Sequence, residues 1–180
     1  MGKIVPAPPV TPILGVIFRD PAVVDDCMLW IERLLGDVDL VSTDFPFDLT
    51  DHYEPEMGPN LVRRFYSFEN VTDPEMLADW KVQTNRLEEE AAVRFGDYRP
   101  LNLDPGYING AKLVLASVKG LAHRVYIGRG IHAEVTMSYR AGEWLKRDYT
   151  FPDFAAGRYD EFFSKVRARH LELSGTRAAV

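Results

Sequence analysis

The stretch that decides the fold is Gly128-Arg129-Gly130-Ile131-His132-Ala133-Glu134-Val135-Thr136-Met137-Ser138-Tyr139-Arg140. Its second part alternates apolar and polar side chains, which is typical of a strand with one apolar and one polar face. Its first three residues supply the glycines of a three-residue hairpin connection, so His123 to Ile127 is predicted as the partner strand. A hairpin of this kind indicates an antiparallel sheet.

The flanking segments predict more strands and three amphipathic helices. Further strands are predicted at Ile13 to Phe18, Leu40 to Phe47, Leu61 to Phe68, Leu113 to Ala116 and Trp144 to Thr150. Helices are predicted after Asp20-Pro21, from Asp73-Pro74 to about Phe95, and around Tyr159 to Val166. Sequential strands joined by hairpins predict an α+β fold. We expect a largely antiparallel mixed sheet, distantly ferredoxin-like, with about three helices packed mainly on one face.

Length and composition predict one domain over residues 1–180, with an extended proline-rich arm at 1–12 and a frayed tail at 175–180. The single Cys27 excludes an intramolecular disulfide and is predicted to be a buried, inert thiol, which fits a reducing, cytoplasmic setting. The first twelve residues do not resemble a signal peptide, and no apolar run approaches the ~20 residues of a membrane span. We therefore expect no membrane partner.

Charge is unevenly distributed along the chain. Residues 1–110 carry 20 acidic and 9 basic side chains, whereas residues 111–180 carry 7 and 12. The pattern fits either a solvated surface or a cleft in which an acidic segment faces a basic one. The net charge of -6 makes broad nucleic-acid binding unlikely, because such binding requires a basic surface.

An acidic loop at residues 44–58 contains five carboxylates, one histidine and three aromatic residues. Carboxylate oxygens and an imidazole suit a divalent cation such as Mg²⁺ or Mn²⁺, and Glu54 and Glu56 are the predicted metal ligands. In the same loop, Tyr53 is a predicted ligand-binding residue. A solvated acidic loop is the alternative, because the spacing does not match an EF-hand.

Asp104-Pro105-Gly106-Tyr107 predicts a type II turn, with Gly106 supplying a positive φ. Such a turn would present Asn102 and Asp104 at the entrance to the strand that begins near Lys112. Asn102 and Lys112 are predicted to bind ligand, and Asp104 is predicted to be catalytic. The alternative is a turn without a function.

Polar residues also recur in and before the predicted hairpin. Lys119 and Arg124 are predicted to bind an anion, Arg124 as a fork and Lys119 as a point charge. His123 is a predicted acid or base, and Glu134, on the same strand face as His132, is a predicted catalytic carboxylate. The alternatives are that His123 is a structural residue and that Glu134 lies on the solvent-exposed face of an antiparallel sheet.

Lys81, Asn85 and Glu88 share one face of the long helix, at i, i+4 and i+7. This stripe is predicted to face the polar side of the sheet, which makes Asn85 and Glu88 predicted ligand-binding residues. A solvated helix face is the alternative.

Several motifs together carry a resemblance to a known family. They are His52-Tyr53-Glu54-Pro55-Glu56-Met57-Gly58, Thr84-Asn85-Arg86-Leu87-Glu88, Asn102-Leu103-Asp104-Pro105-Gly106-Tyr107, Lys112-Leu113-Val114-Leu115-Ala116-Ser117, His123-Arg124-Val125-Tyr126, Gly130-Ile131-His132-Ala133-Glu134-Val135-Thr136 and Tyr149-Thr150-Phe151-Pro152-Asp153. Over nearly its whole length the chain resembles the bacterial family catalogued as domain of unknown function 4416. The resemblance implies an aromatic residue at the positions of His52 and His132, and it implies no activity.

These patterns predict an enzyme or binding protein with a polar pocket on the open face of the sheet. The expected ligand is a phosphorylated or nucleotide-like small molecule, with phosphoryl or nucleotidyl chemistry as the reaction class. Lys119 and Arg124 would hold the anion, and His123 would act as acid or base. Glu54, Glu56 or Glu134 would hold a divalent cation.

Two other functions remain open. Phe45, Phe47, Trp144 and Phe151 are predicted to be exposed and would form the surface of a non-catalytic protein-interaction or dimerisation module, including a homodimer. Single-stranded RNA binding through Tyr126, Tyr139 and nearby arginines is the weaker alternative.

Overall fold

The computed structural model describes residues 2–96 and 99–175, which form nine strands, five α-helices and one 3-10 helix at Pro74–Met76. The strands are β1 (Thr11–Phe18), β2 (Val38–Val41), β3 (Phe45–Pro46), β4 (Val62–Phe68), β5 (Leu101–Ile108), β6 (Lys112–Ser117), β7 (Val125–Gly128), β8 (Ile131–Arg140) and β9 (Glu143–Lys146). The helices are α1 (Pro21–Leu35), α2 (Glu54–Met57), α3 (Leu77–Phe95), α4 (Pro152–Ala155) and α5 (Asp160–Leu173). The predicted arm is shorter than expected because β1 begins at Thr11. The predicted tail lies outside the described residues from residue 176 onwards.

The nine strands form one sheet with the order β2-β4-β1-β5-β6-β8-β7, in which β3 pairs with β4 and β9 pairs with β8. Every pair of neighbouring strands among the described residues is antiparallel. β1 and β2 run parallel with β4 between them, so α1 forms a crossover between these two strands. This architecture confirms the α+β class.

Helices cover both faces of the sheet. Leu14 and Val16 of β1 pack in one core cluster with α1 and α3, whereas Ile13 packs in a second cluster with α4 and α5. The alternation of side chains along β1 explains why all eight of its residues are buried. The expectation of about three helices mainly on one face is therefore corrected, since the described residues form five α-helices, and α4 and α5 cover the other face with the aromatic residues Phe154 and Phe163.

Helix α1 begins and ends where its sequence predicts. The Asp20 carboxylate accepts a hydrogen bond of 3.0 Å from the Ala22 N–H, and Pro21 occupies the first helical position. Gly36 ends the helix with a φ of 104°, a value that disfavours side chains with a Cβ. Of the described helices, none is long and apolar enough to cross a membrane.

The predicted turn at Asp104-Pro105-Gly106-Tyr107 is wrong, because these residues lie inside the central strand β5. Pro105 pairs with Leu14 of β1, and Gly106 pairs with Ile13 and with Leu115 of β6. A Cβ at Gly106 would lie 2.3 Å from the Val114 carbonyl oxygen, so glycine is required by the close approach of β6 and not by a positive φ.

Gly106 is also where the ladder between β5 and β6 ends. The two strands pair from Gly106–Leu115 to Ile108–Leu113, and the preceding part of β5 has no partner in β6. Pro105, which has no N–H to donate, is the first residue beyond the ladder. The sheet therefore has a gap between the first half of β5 and the end of β6, and the candidate site lies there.

Candidate ligand-binding pocket

A cavity of about 480 Å³ is lined by both strands that border this gap, including Asn102 and Asp104 of β5 and Ser117 of β6. Its volume falls in the range of small-molecule sites, roughly 300–1,000 Å³. Phe47, Leu115, Phe151 and Phe154 are among its apolar lining residues. The remaining lining is rich in charged side chains, which belong to two hydrogen-bonded networks. The inner network is formed by Arg63, Lys81, Arg99, Asn102 and the carboxylates of Glu56, Glu88, Asp104 and Asp153. The outer network is formed by Arg124, Glu134, Ser117 and Lys119.

The inner network begins at Arg63, a buried residue of β4. Its Nη1 lies 2.9 Å from the buried carboxylate of Asp153, which also accepts a hydrogen bond of 3.0 Å from the Tyr159 hydroxyl. The guanidinium lies over the rings of Phe47 and Phe154, at 4.8 Å and 5.2 Å from their centroids. Burial between these rings and an ion pair makes Arg63 a structural cation of the pocket wall.

The backbone of Leu103 in β5 forms hydrogen bonds with Lys81 and Glu88 of α3 at a position where β6 does not pair with β5. The Lys81 Nζ donates to the Leu103 carbonyl at 2.6 Å, and the Glu88 carboxylate accepts from the Leu103 N–H at 2.7 Å. Unpaired backbone groups are costly when buried, so these bonds stabilise the open edge of β5. Burial raises the pKa of Glu88, while the charges of Lys81 and Arg99 oppose the rise.

Arg99 completes the inner network. Its Nη2 donates to Glu88 and to Asn102 Oδ1, both at 2.5 Å, and its Nη1 lies 3.2 Å from Glu56. The Asn102 amide in turn donates to Asp104 at 2.8 Å. This chain of bonds fixes the side chains at the pocket end of β5.

The outer network is centred on Arg124 and Glu134. Arg124 Nε donates to Glu134 at 2.7 Å, and the two side chains are only 4% and 2% exposed. Arg124 Nη1 donates to Ser117 Oγ at 2.6 Å and to the Lys119 carbonyl at 3.0 Å. The pair thus ties β8 to the segment that follows β6.

His123 lies outside the pocket lining. Its Nε2 is 3.2 Å from Glu134, and its ring stacks on Tyr149 with centroids 4.1 Å apart. The predicted catalytic acid or base is therefore placed behind Glu134. In this position His123 can orient Glu134 but does not face the cavity.

Several polar groups of the lining keep unused hydrogen-bonding capacity. Ser117 Oγ accepts from Arg124 and from the Lys119 N–H at 3.1 Å, so its own proton is free to be donated. The Lys119 ammonium contacts only the His52 imidazole, at 3.3 Å, among the residues described. Within the same part of the chain, the Asn85 amide has no side-chain hydrogen bond.

The phenol of Tyr53 is another such group. The hydroxyl makes no hydrogen bond to the described residues, and Arg99 lies 5.5 Å from the ring centroid. Burial raises the pKa of Tyr53 well above its ordinary value, with the charge of Asp104 adding to the rise. The hydroxyl is therefore a neutral donor and acceptor at physiological pH.

Eight of the twelve predicted site residues line this pocket: Tyr53, Glu56, Asn85, Asn102, Asp104, Lys119, Arg124 and Glu134. Glu88 lies directly behind the lining, bonded to Arg99. Lys112, at the start of β6, is not part of the lining, and Glu54 lines a separate open cavity with Asp48 and Asp51. The acidic and basic segments therefore meet, as one interpretation of the charge pattern predicted.

The predicted metal ligands do not converge. Glu56 is paired with Arg99 and Glu134 with Arg124, whereas Glu54 lies in the other cavity. Within residues 2–96 and 99–175, no three His, Cys, Asp or Glu side chains are grouped to hold a metal ion. The geometry thus provides no basis for assigning a cation to these glutamates.

Sequence reasoning missed Arg63 and Arg99. Arg63 occurs in a predicted strand that is rich in aromatic and β-favouring residues, where a charged residue is an available signal of a buried partner. Arg99 follows the long helix in a polar stretch and gives no comparable signal. Its role depends on the proximity of Glu56, 43 positions earlier in the chain.

The surfaces proposed for the two alternative functions differ from expectation. Phe47 and Trp144 are buried and Phe45 is partly buried against Tyr159, so Phe151 is the one member of the predicted aromatic surface that is exposed. Tyr126 pairs with His132 on β8, and Tyr139 lies seven residues further along that strand, roughly 24 Å away. The two tyrosines therefore do not form one stacking surface for bases.

Comparison with known proteins provides a family but no function. The family model described as Domain of unknown function (DUF4416) matches residues 8–170. Neither the curated proteins nor the solved structures contain a match to this chain.

Proposed function

We propose that this chain, which belongs to the family described as Domain of unknown function (DUF4416), binds a phosphorylated small molecule in the pocket between β5 and β6. The phosphate would lie against the Ser117 hydroxyl, the Lys119 ammonium and Nη2 of Arg124, which makes no hydrogen bond to the described residues. The observation that carries the proposal is Ser117, whose two acceptor positions are both occupied while its proton remains available.

The distribution of charge supports this placement. In the inner network three cations face four carboxylates, namely Arg63, Lys81 and Arg99 against Glu56, Glu88, Asp104 and Asp153. In the outer network two cations, Lys119 and Arg124, face the single carboxylate of Glu134. An anion is therefore stabilised at the outer end and repelled at the inner end.

The pocket would bind its ligand without a chemical step. His123 contacts Glu134 from outside the lining, and the carboxylate of Glu134 already accepts from Arg124 and Thr136. These contacts support a role for the His123–Glu134 pair in positioning Arg124. The fork of Arg124 and the point charge of Lys119 together suit a phosphate group.

Titration calorimetry with ribose 5-phosphate and inorganic phosphate tests the proposal. We expect Lys119→Met to weaken binding of ribose 5-phosphate about tenfold, because it removes a charge-assisted hydrogen bond. Lys112→Met is the matched control, because Lys112 begins β6, the strand that precedes Lys119, but lies outside the pocket lining. This variant should bind ribose 5-phosphate as the unmodified protein does. Equal loss in both variants, or no binding of either compound by the unmodified protein, would refute the proposal.

Self-association is a second candidate function, favoured by strand β7. This strand ends the sheet, and its outer edge is unpaired within the described part of the chain. Val125 and Tyr126 are 69% and 61% exposed, and β7 is free of charged residues. An apolar edge of this kind can pair antiparallel with the β7 of a second copy, which is self-complementary about a two-fold axis.

Light scattering after gel filtration measures this second candidate. A dimer that Val125→Lys converts to a monomer would support it. Val93→Lys, at an exposed position of α3, is the control and should leave the mass unchanged. A monomer at all protein concentrations would exclude self-association through β7.

A further inference from the structure

We infer that the ligand carries neutral hydroxyl groups at the end opposite its phosphate, and that Asp104 and Asn85 recognise them. The inference rests on the proposed function and adds the chemical class of the ligand, a polyhydroxylated phosphate such as a sugar phosphate. Both residues line the cavity, one from β5 and one from α3.

Asp104 retains most of its capacity to accept hydrogen bonds. From the residues that the structure describes, its carboxylate accepts one hydrogen bond, from the Asn102 amide at 2.8 Å. The cations of Arg63 and Lys81 lie at 3.7 Å and 3.6 Å, beyond the length of a good hydrogen bond. Because the side chain is 22% exposed and faces the cavity, these free positions are accessible to donors of a ligand.

Asn85 can donate hydrogen bonds to a ligand, whereas Asp104 can only accept them. It lies one helical turn after Lys81, whose ammonium contacts Asp104, so the same face of α3 brings Asn85 to the inner end of the pocket. Its amide offers one acceptor and two donor hydrogens, none of which is used by the described residues. A hydroxyl both donates and accepts, so it can donate to Asp104 and accept from Asn85.

The surrounding charges select a neutral group over an ionic one. An ammonium at Asp104 would have to share this carboxylate with the cations of Arg63 and Lys81, which already lie 3.7 Å and 3.6 Å from it. An anionic group would face the carboxylate of Asp104 itself. A hydroxyl has neither of these penalties. A ligand that lacks the hydroxyls would leave Asp104 and Asn85 without partners, so the site should bind it much more weakly.

Three ligands with five-carbon chains test the inference by calorimetry: ribose 5-phosphate, n-pentyl phosphate and 5-aminopentyl phosphate. We expect the unmodified protein to bind ribose 5-phosphate at least tenfold more tightly than the other two. Asn85→Ala should remove most of this preference without changing the affinity for pentyl phosphate. Asn85→Ala breaks no side-chain hydrogen bond to the described residues, so the fold should be unchanged, and Arg86→Ala on the same helix is the control.

The outcomes separate the inference from the proposed function. Equal affinity for ribose and pentyl phosphates, with both weakened by Lys119→Met, would overturn the hydroxyl inference and leave the phosphate site. Tightest binding of 5-aminopentyl phosphate would also overturn it, in favour of an ammonium at Asp104. Absence of binding by all three compounds would reject the phosphate site and the inference together. A preference for ribose 5-phosphate that persists in Asn85→Ala would remove Asn85 from recognition.

Discussion

Glu134→Gln is expected to destabilise the protein even though it removes only a charge. In the native protein the Glu134 carboxylate balances the guanidinium of Arg124, and both side chains are almost completely buried. Glutamine keeps one oxygen that can accept from Arg124 Nε, but it leaves the buried cation without a counter-charge. It also weakens the contact with His123, 3.2 Å away.

The size of the effect follows from the burial of the pair. Removing one partner of a buried ion pair costs about 3–5 kcal/mol, and the retained acceptor places this substitution near 3 kcal/mol. For a chain of 180 residues, 1 kcal/mol corresponds to a change in Tm of roughly 2–4 °C. The expected decrease in Tm is therefore about 6–12 °C.

Urea unfolding followed by tryptophan fluorescence, together with scanning calorimetry, measures this change. Glu143→Gln, an exposed glutamate of strand β9, is the control and should alter stability by less than about 0.5 kcal/mol. The double substitution of Arg124→Met with Glu134→Leu should recover most of the loss, because it removes both buried charges. A decrease below about 1 kcal/mol in Glu134→Gln would show that solvent reaches Arg124, and the account of the outer network would be wrong.

Three further predictions concern the rest of the fold. Gly106→Ala should destabilise the protein by about 3 kcal/mol in urea unfolding, because its Cβ would lie 2.3 Å from a backbone carbonyl of β6; unchanged stability would contradict the close approach of the strands. Burial lowers the pKa of His170, so as the pH falls the unfolded chain is protonated at this residue before the folded protein is. The stability that His170 contributes is therefore present above about pH 6.5 and is lost as the pH falls below that value. His170→Asn should flatten the dependence of the urea midpoint on pH between 7.5 and 5. Burial also raises the pKa of the Cys27 thiol, so Ellman's reagent should react with it only after unfolding, and fast labelling of the native protein would disagree.

Local sequence patterns predicted most of the secondary structure, because they reflect interactions between near neighbours. The hairpin of β7 and β8 follows from two glycines and an alternating strand, and the start of α1 follows from Asp20 and Pro21. The largest error in secondary structure was at Pro105-Gly106, where a turn was predicted within what is strand β5, because the turn-forming preference is overridden by pairing with β1 and by the close contact with β6. A local signal fails where distant strands determine the conformation.

The candidate site was predictable as a set of residue types but not as an arrangement. The separation of acidic and basic residues along the chain suggested a shared cleft, and Asn85, Asp104, Lys119 and Arg124 do line one cavity. Their roles could not be assigned from the sequence, because the charges are balanced by partners far away in the chain. Arg63 and Asp153, for example, are 90 positions apart and form a buried ion pair.

By itself, the sequence determined the α+β class, the approximate positions of the main helices and of the main strands other than β5, and the residue types available to a site, since these depend on periodicity and on contacts within a few residues. Only the tertiary structure decided where the sheet opens, which charges are neutralised and which polar groups remain free. The physical reason is that the β5–β6 ladder ends at a single glycine, and the ion pairs around the resulting gap join residues whose separation in the sequence carries no information about their separation in space.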